Sequence, residues 1–290
     1  MEVLYNEELT LQINPLGAEL CSIKNNFTDE EYIWQADPIF WKRHAPILFP
    51  IVGSVWNGEY KHKGIIYKMK QHGFARDREF TLLHSQPNEI CFILESDPQT
   101  LAIYPFPFLL EITYKLEDKK ITVLWKVKNT GDSEIYFQIG AHPAFMYKDN
   151  KHEKNCKGYF NFNVNHNLKY LLIKEKGCVQ VYDYHSLHLE DGLLPITPTL
   201  FDHDALIFEN NQVSRIDLLS PNKEPYIRLH FDAPLVGLWS PSANAPFVCI
   251  EPWYGRCDRI NYTGEFKDRD WMNHLAINNT FYASYTIEIV

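Results

Sequence analysis

The stretch Phe108–Gly140, FLLEITYKLEDKKITVLWKVKNTGDSEIYFQIG, decides the fold class. Its apolar residues recur at every second position. Phe108, Leu110, Ile112, Tyr114 and Leu116 line one face of a strand. Ile121, Val123, Trp125 and Val127 line the next, with Thr122, Lys126 and Lys128 opposite. Asn129-Thr130-Gly131-Asp132 is a turn signal, after which Ile135, Phe137 and Ile139 resume the alternation. Successive side chains of a strand point to opposite faces, so a period of two marks half-buried antiparallel strands.

The same rhythm reaches both ends of the chain. Leu9, Leu11 and Ile13 carry it near the start. Phe281, Ala283, Tyr285, Ile287 and Ile289 carry it near the end, against Tyr282, Ser284, Thr286 and Glu288. Helical signals are few; DRDWMNHLAI (Asp268–Ile277) predicts one short helix with an aspartate near its start. No helix-length pattern separates consecutive strands, which disfavours a parallel α/β sheet. No Gly/Ser-rich or Pro-rich linker divides the chain. The expectation is an all-β protein: one large antiparallel β-sandwich of two sheets, spanning residues 1–290 as a single domain, with few short helices.

Composition narrows the function classes. The 290 residues are 45% hydrophobic and 22% charged, which is globular and excludes a wholly disordered chain. A net charge of −9 with no basic run argues against a nucleic acid partner or an anionic lipid surface. The N-terminus MEVLYNEELTLQINP has neither the basic nor the apolar region of a signal peptide, and the apolar run Ala45–Val52 is too short to cross a membrane. A soluble, cytoplasmic protein is expected. The six cysteines (Cys21, Cys91, Cys156, Cys178, Cys249, Cys257) show neither Cys-x-x-Cys nor zinc-finger spacing, and read as free thiols. The 13 glycines form no dinucleotide fingerprint and no phosphate loop. Neither a Gly-x-Ser-x-Gly elbow nor a His-Glu-x-x-His pair occurs.

Four segments break the strand rhythm with dense Gly, Pro, His, Arg and aromatic residues. WKRHAPILFPIVGSVWNG (Trp41–Gly58) sets Lys42, Arg43 and His44 before an apolar run. QHGFARDR (Gln71–Arg78) sets His72 beside Gly73, where the backbone can turn tightly, and follows with Arg76. IGAHPAF (Ile139–Phe145) places His142 at a strand end, because Pro143 removes a ladder donor. FVCIEPWYGRCD (Phe247–Asp258) places Glu251 after an apolar strand, where desolvation raises a carboxylate pKa. Each segment has an ordinary structural alternative: solvated charges around a buried strand, an exposed turn with an Arg/Asp pair, a rim histidine, and a glutamate paired with Arg256 or Arg76. Together they place two histidines, a carboxylate and arginines at strand ends.

At these residues the chain resembles the galactose mutarotase-like (aldose 1-epimerase) family, most closely its LacX-type branch. The resemblance runs through INPLGAEL (Ile13–Leu20), APILFPIVG, QHGFARD, GAHPAF, FDHDALIF, VGLWS and IEPWYGRCD, in that order. It implies a β-sandwich that interconverts sugar anomers with neither metal nor organic cofactor. His72 matches the family histidine on the ring-oxygen side, His142 its general acid and Glu251 its general base. The aspartate that grips sugar hydroxyls falls at Asp202 or Asp204, and the LacX-type branch favours Asp204. One departure is visible: Ser54 stands where the family has an arginine, leaving Arg43 and Arg76 as the candidates to grip substrate.

The chemistry suits these residue types. Opening an aldopyranose needs a base to take the proton from O1 and an acid to give one to O5. Glu251 and His142 would do this, with an acid limb of the pH profile from the carboxylate and a basic limb from the imidazole. Trp239 and Trp253 would stack on the sugar. Alternatives are a non-catalytic sugar-binding module on the same fold and a hexose-6-phosphate epimerase using Arg43, Arg76, Lys42 and Lys70. A metal enzyme with His72, His142 and Glu251 as a triad, or a glycosidase pairing Glu251 with Asp204, is also conceivable.

Overall fold

A computed structural model describes residues 1–148, 156–189 and 191–290. Two large sheets dominate, and every ladder between their strands is antiparallel. The nine-stranded sheet centres on Phe108–Glu117, Lys120–Asn129 and Thr280–Ile289, the strands whose alternation is plainest in the sequence. Val123 lies opposite Tyr114 on one side and Tyr285 on the other, so the predicted apolar faces coincide in register. These side chains meet those of an eight-stranded sheet in one large core.

The eight-stranded sheet carries apolar residues on both faces. In Phe247–Tyr254, Val248 and Ile250 enter the main core, while Phe247, Cys249 and Trp253 face the other way into two smaller clusters. Leu206 and Phe208 likewise face the main core, while Ile207 faces out. A sheet with one face already committed to the core, yet still apolar on the second, needs a second cover. Loops supply it, and the candidate site lies between them and the sheet.

Three expectations from the sequence are overturned by the fold. The first is the strand end at Glu251: that residue lies inside the strand Phe247–Tyr254, where Pro252 accepts its place opposite Val236 because the ladder continues on either side of it. Asp268–Ile277 is not a helix: a 3₁₀ turn covers Phe266–Asp268, Trp271 adopts a left-handed φ of 58°, and Asn273–Leu275 forms a strand with Ile135–Phe137. A positive φ at a bulky residue interrupts any right-handed helix, and tertiary strand pairing overrides local propensity. The stretch Ile135–Ile139 is also not one strand. Ile135–Phe137 pairs with Asn273–Leu275, and Ile139–Ala141 joins the eight-stranded sheet. One short helix went unpredicted, Pro98–Ile103, started by a capping box between Asp97 and Thr100 with proline at the first position. Among the described residues no helix is long and apolar enough to cross a membrane.

Candidate active site

The outward face of the eight-stranded sheet forms the base of a cavity of about 280 Å³. Its floor is Trp253, packed flat because its neighbours lack side chains. A Cβ at Gly237 would lie 2.4 Å from the indole, and one at Gly140 2.6 Å from it. The indole N–H donates to the Ala141 carbonyl at 3.2 Å. Glu251 sits two residues before Trp253 on the same face, opposite Gly237 in the neighbouring strand. It is 1% exposed, and burial, reinforced by nearby Asp204, raises its pKa well above the ordinary carboxylate value.

His142 lies between Ile139–Ala141 and Ala144–Met146, where proline ends the pairing as expected. Its Nε2 is 3.3 Å from Glu251 Oε2. Trp41 stacks on the imidazole and Trp239 meets it edge-on. Burial, then Arg76 and Arg43, lower its pKa to about 3. Burial thus disfavours charge on both members of the pair, raising the carboxyl and lowering the imidazole, the reverse of the order in free side chains. Titration steps of groups this close belong to the pair.

His72 comes from a loop rather than a strand. Its φ is +65°, and the next residue, Gly73, is at +71° with its α-carbon so close to Phe49 that a Cβ would lie 2.2 Å from the carbonyl oxygen. Gly53 clasps His72 twice: its carbonyl accepts from the His72 amide at 2.8 Å, and its amide donates to Nδ1 at 3.1 Å. Strain of this kind persists only where surrounding contacts over-determine it. A buried network holds the chain on either side of Gly53, the residue that clasps His72. Arg269 pairs with Asp258 at 2.5 Å, Asp258 accepts from the Trp56 amide, and Gln138 accepts from both Arg269 and the Val52 amide.

Of the sequence-derived residues, His72, His142, Glu251, Arg76, Asp204, Trp239 and Trp253 all line this cavity. Asp204, at φ +69°, is exposed and points its carboxylate at the Ala205 amide. Asp202 lines a separate cavity with Tyr147, Lys157 and Ser240. Arg43 stands behind Arg76: it pairs with Asp77 at 2.7 Å and donates to the Arg76 carbonyl at 3.3 Å. Arg76 donates to the Gln71 carbonyl and keeps its Nε without a partner among the described residues. Neither arginine pairing weighed for Glu251 occurs, since Arg256 is bound to Glu209 and Asp270 and Arg76 to the Gln71 carbonyl. Ser54, in place of the family arginine, packs against Gly177. Sequence reasoning passed over Trp41, Gln71 and Cys249. The signal for Trp41 was its place at the head of the charged WKRH run.

The aldose 1-epimerase family model matches residues 3–267. The chain belongs to the aldose 1-epimerase family. The chromosomal protein LacX of Lactococcus lactis subsp. lactis is 32% identical, the match covering 99% of this chain and 98% of that protein. A galactose mutarotase related enzyme from Lactobacillus acidophilus superposes with a TM-score of 0.94 at 33% identity, over 100% of this chain and 97% of that one. A galactose mutarotase-like protein from Lactobacillus casei gives 0.92 at 29% identity over the full length of both. The galactose mutarotase-like β-sandwich is thus the fold of this member of the family, and a sugar epimerase or mutarotase-like role goes with the membership.

Proposed function

We propose that this aldose 1-epimerase family member interconverts the α and β anomers of a hexose by acid/base ring opening and reclosure. The observation that carries the reading is the His142–Glu251 pair, 3.3 Å apart in a lined cavity. O1 and O5 of a pyranose are borne by the same carbon, so an acid and a base acting on them must converge on one small volume.

The steps balance in protons. In opening, Glu251 takes the O1 proton while His142 gives one to O5, the C1–O5 bond breaks, and an aldehyde forms. His142 is then neutral and Glu251 protonated. Rotation about C1–C2 presents the other carbonyl face. In closing, His142 takes the proton from O5 as that oxygen attacks C1, and Glu251 returns one to O1. His72 donates a hydrogen bond on the ring-oxygen side. Asp204 and Arg76 grip hydroxyls, and Trp239 and Trp253 bound the sugar's apolar face. Each acid–base group contributes roughly 10²–10⁴-fold, and the chemistry asked of the residues is proton movement alone. A phosphorylated hexose is the variant reading, favoured by Arg76 in the cavity lining. Polarimetric mutarotation of galactose, glucose and their 6-phosphates tests both; no acceleration of any of them would overturn the reading.

A further inference from the structure

His142 is enclosed by two indoles. Trp41 stacks on it with ring centroids 4.7 Å apart and planes 29° apart, and Trp239 meets it edge-on at 5.4 Å. Trp41 is itself braced. Its carbonyl accepts from the Trp34 indole at 2.7 Å, its amide donates to the Asp37 carbonyl at 3.0 Å, and its ring contacts Trp239 at 5.6 Å. Just downstream, Glu19 accepts from the His44 and Ala45 amides at 2.8 and 3.0 Å, which ties the loop to the core. This is a fixed platform rather than a swinging side chain.

The ionisable groups around His142 come from several elements. Glu251 and Cys249 project from strand Phe247–Tyr254, His72 and Arg76 from the segment Gln71–Arg78, Arg43 from the loop of Trp41, and Asp204 lies beyond Glu251. In the proposed cycle, opening requires the proton on His142 and closing requires it on Glu251. Burial and the two arginines favour the second arrangement. The first needs a compensating interaction on the imidazole itself, since Glu251 attracts it from one edge only. An indole face is negative and attracts a cation, more strongly where water is excluded.

We propose that Trp41 is a positioning residue acting through His142, its indole face stabilising the imidazolium that ring opening requires. The inference rests on His142 being the acid of the proposed reaction.

The test compares Trp41→Leu with Trp41→Phe, which keeps a π face. In Trp41→Leu, kcat should fall roughly 5–30-fold, the range of a desolvated cation–π contact. The acid limb of the pH–rate profile, set by protonation of the imidazole, should move to lower pH. Trp41→Phe should restore most of both. Nitrogen NMR shifts of the His142 ring report how much of the pair's proton resides on the imidazole, and that share should drop in Trp41→Leu. A loss confined to KM, with the pH profile and ring shifts unmoved, would make Trp41 a wall for the sugar and overturn the proposal. So would unchanged kcat. If Trp41→Leu does not fold, Trp41→Met replaces it as the variant without a π face. Should the wild type prove inactive on every sugar, the functional reading fails, while the NMR comparison still decides whether Trp41 stabilises the imidazolium.

Discussion

His142 Nε2 stands 3.3 Å from Glu251 Oε2, and that carboxylate oxygen accepts no hydrogen bond from the described residues. Unsatisfied buried acceptors are costly and rare, and they concentrate where a ligand completes the site. In the proposed reaction, a sugar hydroxyl completes this pair.

Glu251→Gln keeps the shape and removes the proton acceptor. Turnover should fall by roughly 10²-fold or more. Stability should move the other way. Glu251 has its folded-state pKa raised, so its contribution is fully present below the unfolded value of 4.5 and is lost as pH rises through the folded value. The variant should therefore gain Tm over wild type as pH increases, by about 2–4 °C for each kcal/mol recovered. Calorimetry at acid and at alkaline pH checks this; equal Tm differences at both would contradict the assignment of a raised pKa.

The two histidines should respond unequally. His142→Asn retains a donor but carries no mobile proton, so turnover should drop by roughly 10²–10⁴-fold. Sugar affinity, which the proposal assigns mainly to Arg76, Asp204 and the aromatics, should weaken far less. His72→Asn should do milder damage, since it loses one hydrogen bond. Polarimetry with titration calorimetry separates the effects, and a more crippled His72 variant would reverse the roles of the two imidazoles.

The pH–rate profile should carry its limbs in an unusual order. The working state of the pair holds one proton. Acid inactivation needs a second proton on an imidazole whose pKa is lowered to about 3, so activity should persist well into the acid range. Alkaline inactivation removes the shared proton from a carboxyl whose pKa is raised. A carboxyl limb barely moves with temperature, whereas an imidazole limb shifts to lower pH on warming. Profiles at two temperatures tell them apart, and a basic limb that moves strongly on warming would restore the ordinary assignment.

Gly237→Ala should disturb the site without touching a proton carrier. Its Cβ would meet the Trp253 ring at 2.4 Å, with Glu251 directly across the ladder. Overpacking of this kind costs roughly 1–3 kcal/mol. The variant should unfold earlier in urea, and kcat/KM should fall further than stability alone explains. Wild-type stability in this variant would mean that the indole has room to retreat.

Much of the site was legible because strand ends announce themselves. Pro143 follows His142 where a strand does end, and Gly73 marks the turn of His72. Pro252, by contrast, stays inside the strand Phe247–Tyr254 opposite Val236, so Glu251 was found through its sequence motif and not through a strand end. The long alternating strands were legible for the same local reason. Other features depended on distant partners. Asp202 and Asp204 differ by two positions in one turn, and only the fold sends them to different cavities. Trp41 meets His142 across 101 positions of sequence, in an irregular loop with no period to read. The expected helix near Asp268 gave way to a strand pairing that no local pattern encodes.

The Gly53 amide bonded to His72 Nδ1 has a further consequence. A ring nitrogen that accepts a hydrogen bond carries no proton, so the hydrogen of this imidazole resides on Nε2. Protonating Nδ1 would set two N–H groups head to head, and burial opposes the charge as well. His72 is thereby a permanent neutral donor of fixed tautomer. The cavity thus holds two imidazoles with ring centroids 5.6 Å apart and unequal freedom: a backbone amide fixes the tautomer of one, so in the proposed reaction the mobile proton falls to the other.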